Sequence, residues 1–268
     1  MRRALLALVP LALAVLSPRG ALARRGVRPL FEPTDLELEA PGVTELDLQA
    51  GFIRGQGPWR AVVPDFELDV GVLRNLELDL DGAYALEDTP GGAFKFDDPA
   101  PDNLWLAAKV GLYDWVDEGR AADELVAWAV GAQVGPKLPV ASGSRGVGVE
   151  GLLLVGHVVD GMHFVLNAGA FVDPHPAPEA ARPLGIELGL DFDRDLDAAG
   201  HFQVTGELAG VRFLSSDPHQ LLATGGFAWS PTEATQISLT GLVGFLDGSD
   251  RYGALVGVSQ KLRLFGAR

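Results

Sequence analysis

Residues 64–85 read Pro64-Asp-Phe-Glu-Leu-Asp-Val-Gly-Val-Leu-Arg-Asn-Leu-Glu-Leu-Asp-Leu-Asp-Gly-Ala-Tyr-Ala85. Phe66, Leu68 and Val70 alternate with Glu67 and Asp69, and Leu76, Leu78 and Leu80 alternate with Glu77, Asp79 and Asp81. A period of two places one class of side chain on each face of an extended chain, so the stretch predicts strand, turn, strand. One face is wholly apolar and the other is a row of carboxylates. Two architectures accept this pattern. A soluble sandwich turns the polar face to water, whereas a membrane barrel turns the apolar face to lipid and the polar face to a wet interior.

Twelve such segments are expected along the chain. They are 43–53, 60–70, 75–86, 103–115, 122–138, 148–159, 162–172, 184–193, 201–214, 220–230, 234–246 and 252–265. No segment competes as a helix, since 177–182 is short and flanked by prolines. Asp160-Gly161 is a tight-hairpin signal between the sixth and seventh segments. The connections alternate. Those after odd segments are loop-like and rich in Pro, Gly and Ser, the longest being Glu87–Asp102, while those after even segments are mostly tighter. An up-and-down barrel with short turns at its periplasmic rim and longer loops outside predicts this alternation, and a sandwich gives no reason for it. The expected fold is therefore an all-β, transmembrane, antiparallel barrel of about twelve strands. Aromatics near segment ends, namely Trp59, Trp105, Tyr113, Trp115, Trp229, Tyr252 and Phe265, are candidates for interfacial girdles.

The N-terminus agrees with export. Arg2 and Arg3 precede an apolar run from Ala4 to Leu16, and Ala21-Leu22-Ala23 is a small-x-small cleavage site. This is the layout of a signal peptide over residues 1–23. A periplasmic lead-in segment, 24–42, and the barrel proper, 43–268, follow. Removing the signal takes away three arginines (Arg2, Arg3, Arg19) and no acid, leaving 18 basic against 36 acidic residues, a net charge near −18. Such a surface repels nucleic-acid phosphates, so no nucleic-acid partner is expected. The chain holds no cysteine, so disulfides do not stabilise it.

A family resemblance sits on these residues. Pro64-Asp65-Phe66-Glu67-Leu68-Asp69-Val70-Gly71, followed by Leu73-Arg74-Asn75-Leu76-Glu77-Leu78, resembles the opening signature of the outer-membrane barrels named for the meta-pathway of phenol degradation. Phe227 to Ile237 is similar to that family's penultimate turn, and Gly257-Val258-Ser259-Gln260-Lys261-Leu262 to its final strand. The resemblance implies a transporter-like barrel for small, often hydrophobic compounds, with outer-membrane lipid and the barrel-insertion machinery as partners. It brings no catalytic residues and no cofactor.

Carboxylates supply the candidate solute path. Asp47, Glu67, Asp69, Glu77, Asp79 and Asp81 share a face on the first three segments, Lys109 is a counter-charge, and Glu187, Asp191 and Asp193 form a second row. Carboxylates along a confined wet path favour cations. The plainer reading is that they solvate the interior and pair with residues such as Lys109. Phe94, Phe96, Asp97 and Asp98 of the long Glu87–Asp102 loop are the candidate gate. No metal site is expected, because the Asp-x-Asp spacing lacks the loop geometry of an EF-hand and the five histidines show no ligand spacing. His157 and His163 are expected on opposite faces of their hairpin. No enzyme is expected: the chain has no G-x-S-x-G elbow, and Ser142 and Ser144 lie in a loop without a nearby His. The Gly143–Gly148 run precedes a strand and lacks the helix a phosphate loop needs. Two other roles remain open: a non-transporting structural or surface-interaction barrel, and a soluble periplasmic β-protein.

Overall fold

The computed structural model describes residues 38–55, 59–87, 100–115, 127–141, 143–159, 161–175, 183–197, 199–215 and 217–264. The expected signal peptide and the candidate gate residues Phe94, Phe96, Asp97 and Asp98 lie outside them, as does most of the lead-in segment. Twelve long strands are present: β1 (Val43–Arg54), β2 (Trp59–Leu73), β3 (Leu76–Glu87), β5 (Leu104–Trp115), β6 (Ala127–Leu138), β7 (Gly148–Val159), β8 (Met162–Val172), β9 (Leu184–Asp195), β10 (Phe202–Phe213), β11 (Gln220–Thr232), β12 (Thr235–Gly244) and β13 (Tyr252–Arg263). A two-residue strand, β4 (Ala100–Pro101), adds to the rim beside β3. The described residues contain no helix.

Each long strand pairs antiparallel with its sequence neighbours, and β1 pairs with β13 as well as with β2, so the sheet closes on itself. Closure removes the exposed edges that an open sheet of this size would present. Strands of 10 to 15 residues are long enough to cross a bilayer when tilted.

Alternation places the side chains. On β1 to β3 the carboxylates face inward, while Leu48, Leu78 and their even-numbered neighbours face outward. The same in–out alternation runs round the barrel through the outward-facing, exposed Leu106, Val134, Leu166, Leu188, Leu208 and Leu239. An apolar exterior around a polar interior is the reverse of a soluble fold and excludes a sandwich with a shared dry core.

The rims differ as the connections foretold. Residues 74–75 and 233–234 make two-residue turns at one end, here the turn end, where β7 and β8 are also only two residues apart and Gly161 takes φ +69°. The other end, the loop end, carries most of the longer connections. β6 is described from Ala127, which pairs with Val158, and residues 122–126 of the expected fifth segment lie outside the described residues.

Outward aromatics gather at both rims. Phe202, Trp229, Tyr113 and Trp128 are exposed at the turn end, and Phe52, Tyr252 and Phe245 at the loop end. Trp59 meets Tyr252 edge-on at 5.6 Å. Two separated aromatic bands bound the apolar belt, as in a membrane-spanning barrel. Trp105 is a correction to the girdle set. It faces inward, is 2% exposed, and donates its indole N–H to the Gly135 carbonyl at 3.3 Å. The Trp115 side chain and Phe265 lie outside the described structure.

Candidate functional site: an acidic cavity at the turn end

The register aligns the inward carboxylates in rows. Glu45 lies opposite Asp69, and Asp69 opposite Asp79; one step along, Asp47 lies opposite Glu67, and Glu67 opposite Asp81. Like charges directly across strands repel, so each row costs stability. Carboxylate oxygens of Asp69, Glu77 and Asp79 come within 4.8 Å of one another, the one such group among the described residues close enough to hold an ion. Two of the three take donors from their neighbours. Lys109 lies 3.4 Å from Glu77, the Glu39 backbone N–H donates to Glu77, and Gln133 donates to Asp79 at 2.8 Å. The expected partnership of Lys109 with this wall is thus present.

The lead-in segment ends inside the barrel rather than beyond its rim. Ala40-Pro41-Gly42-Val43 is a tight turn with the Val43 N–H on the Ala40 carbonyl at 2.8 Å and Gly42 at φ +83°. Pro followed by a positive-φ Gly is the signature of a type II turn. The turn folds residues 38–40 back against the inner wall, where the Gly42 N–H reaches the Gly71 carbonyl at 2.9 Å. Glu39 then receives Lys261 at 2.7 Å, and Lys261 also reaches Glu45 at 3.3 Å. Gly71 makes room for the segment, since a Cβ there would stand 2.2 Å from the Glu39 carbonyl oxygen. Replacing Gly71 with leucine is therefore expected to expel residues 38–40. The chain has no cysteine, so a Leu38→Cys variant reports this cleanly: thiol labelling should be severalfold faster in the Gly71→Leu background, and an unchanged rate would place the segment elsewhere.

These groups border a cavity of about 430 Å³ that reaches the turn-end mouth. Asp47, Glu67, Asp69 and Glu77 line one wall, with Lys109, Lys261 and Gln133 beside them. Opposite lie His163, Asp193, Gln203, Thr205 and Gln236. His163 sits 3.3 Å from Asp193, while His157 points outward and stacks on Trp128 at 4.0 Å, so the two histidines do take opposite faces. Of the second acidic row, only Asp193 borders the cavity. Asp191 is buried and accepts from Asn167, and Glu187 faces inward closer to the loop end. Asp79 and Asp81 are buried in the wall behind the cavity lining.

The loop end is built differently. Ile53, Val62, Leu222, Leu242 and Leu255 come from five adjacent strands and form one apolar cluster. Ile53, Leu222 and Leu255 are no more than 2% exposed, although all three face inward. Side chains beside a water-filled path would be wetted, so this wall is packed rather than open. On the far wall Phe171 meets Phe213 edge-on at 5.8 Å, and Trp105 is buried at the same end. Three ion pairs built on two cations tie this end together. Lys137 bonds Glu150, lies 3.1 Å from Asp173 and stands 5.7 Å over the Phe171 ring, and Arg60 bonds Asp250. Burial pushes the Asp250 carboxyl above the ordinary carboxylate range, against the opposing pull of the Arg60 charge and its hydrogen bond.

The sequence reading missed Glu45, Lys261, Gln133 and Glu39. The first three carry a signal, because they share the inward parity of named neighbours. Glu39 belongs to the short alternating run Asp35-Leu36-Glu37-Leu38-Glu39, but that run lies in the lead-in segment, ahead of the first expected strand.

No family model and no curated protein matches the sequence. The fold has clear relatives among solved structures. A crystal structure of NanC porin superposes with a TM-score of 0.55 at 9% identity, covering 81% of this chain and 100% of that one. An outer membrane channel from Pseudomonas putida F1 gives 0.60 at 12% identity, covering 86% and 99%. The chain shares their fold, a closed antiparallel β-barrel.

Proposed function

We propose that the protein is a signal-exported outer-membrane barrel that admits a small solute to its acidic interior and belongs with the meta-pathway-type transporter-like barrels. The observation that carries this reading is the carboxylate wall of β1, β2 and β3 facing an open cavity, inside a barrel whose exterior is apolar between two aromatic bands. Outer-membrane lipid would cover that exterior, and the barrel-insertion machinery would place it there. The motifs at both ends of the chain and the likeness to porin and channel barrels support the assignment. Like-charged residues stacked across strands support a functional wall, because an interior that merely needed solvating could use Ser, Thr and Gln as β11 to β13 do.

The packing at the loop end favours binding over free passage as the resting state. Planar-bilayer recording tests both. Stepwise, cation-selective openings are expected if the loop end yields. A barrel that inserts but stays silent, and takes up no cationic solute, would replace this reading with a structural or surface-interaction role. Release by osmotic shock would remove it from the membrane altogether.

A further inference from the structure

We infer that the turn-end cavity is a binding site for a small organic ammonium compound; the inference rests on the solute reading above and names the solute's chemical class. The cavity wall is a surplus of acceptors. Asp47 and Asp69 border it, and Asp47 keeps Oδ1 buried without a hydrogen-bond partner among the described residues, while the Lys261 ammonium beside them is already committed to Glu39 and Glu45. A second observation is independent of the carboxylates. Gln133 lines the cavity, is 4% exposed, and spends its amide N–H on Asp79, which leaves its carbonyl Oε1 buried with no donor among the described residues. A buried acceptor without a donor is costly, and a guest that brings N–H groups relieves it.

The shape selects an organic guest over a bare ion. About 430 Å³ is room for a small molecule and far more than a cation needs. Two members of the one converging trio, Glu77 and Asp79, already take donors from Lys109, Gln133 and the Glu39 backbone. Lys261, held between Glu39 at 2.7 Å and Glu45 at 3.3 Å, shows the geometry this wall gives an ammonium. An anionic or purely apolar guest would face the carboxylates with nothing to offer them. Entry is from the turn end, since the cavity is lined there by Gly200, Glu233 and Ala234 while the loop end is packed.

Isothermal titration of the full-length refolded barrel in non-ionic detergent tests this. The probes are 1,4-diaminobutane, its neutral counterpart 1,4-butanediol, the dianion succinate, and calcium chloride. Saturable binding of the diamine alone is expected, weakening with salt. Asp47→Asn should reduce the affinity about tenfold, as losing a charge-assisted contact does. Gln133→Leu, which alters no charge, should also weaken it, and keeps the test independent of how one carboxylate variant folds. Equal binding of the diol, displacement of the diamine by calcium, or unchanged affinity in both variants would overturn the inference. Absence of diamine binding together with cation-selective conductance would overturn it while leaving the acidic path intact. Absence of both would sink the solute reading itself.

Discussion

Replacing Lys137 with methionine is expected to destabilise the barrel more than any other single substitution of an interior charge. Lys137 sits on β6 at the loop end, 7% exposed, between Glu150 of β7 and Asp173 beyond β8. Methionine keeps the volume and the contact with the Phe171 ring but removes the cation. Two carboxylates then remain in a site where their side chains are 5% and 9% exposed. Removing one member of a buried ion pair costs about 3–5 kcal/mol, because the charge left behind keeps its desolvation penalty and loses its compensation. The midpoint of urea unfolding from detergent or lipid vesicles should fall accordingly. Lys137→Met with Glu150→Gln should be less damaged than Lys137→Met alone, and that rescue is the signature of coupling. Equal loss in both would assign the lysine a packing role.

This network also marks where the sequence stops being legible. Alternation over residues 64–86 was sufficient for strand, face and polarity, because β2 and β3 expose one face to an apolar solvent and the other to a wet interior. Asp47, Glu67 and Asp69 could therefore be placed on one wall from parity alone, and the structure puts them beside the same cavity. Lys137 and Glu150 obey the same parity, yet nothing in it says that they meet. Their contact depends on the stagger between β6 and β7, where Pro136 pairs with Val149 and Lys137 with Gly148. Stagger is a property of barrel closure, summed over all strands, and no single strand encodes it. Trp105 was misplaced for a related reason. An aromatic near a strand end suits a girdle equally well on either face, and only the pairing of Trp105 with Asp81 and Lys137 turns it inward. Glu39 was overlooked because its alternating run, Asp35 to Glu39, is cut off from the first strand by Pro41-Gly42, and alternation alone does not say which way a turn sends the chain. Its place follows from Pro41-Gly42, whose direction of return depends on the space left by Gly71. The apolar loop-end cluster was hidden by alternation itself. Ile53, Leu222 and Leu255 occupy inward positions that parity marks as wet, and each neighbours an outward apolar residue, so the local pattern there has no contrast to read.

Asp69→Asn is expected to move stability and selectivity in opposite directions, and the pair of shifts separates function from architecture. Asp69 stands between Glu45 and Asp79 across two strand pairs and shares the close group with Glu77. Asparagine has nearly the same shape, adds donors for the neighbouring carboxylates and removes one of the repelling charges. Like charges directly opposite in a sheet cost up to about 1 kcal/mol, so unfolding should shift to higher urea by an amount of that order. The same charge helps set the field at the cavity wall, so the cation preference of any current, and the affinity for a cationic guest, should fall. A wall retained for its charge carries instability that a neutral variant relieves, at the expense of activity. The opposite result has an equally definite meaning. Lower stability with unchanged selectivity would show that Asp69 serves as a hydrogen-bond acceptor inside the wall, and that solutes do not sense it. Lys109→Met provides the control from the other side. It takes away the cation 3.4 Å from Glu77 and leaves the close group intact, so stability should fall while the cavity becomes more attractive to cations.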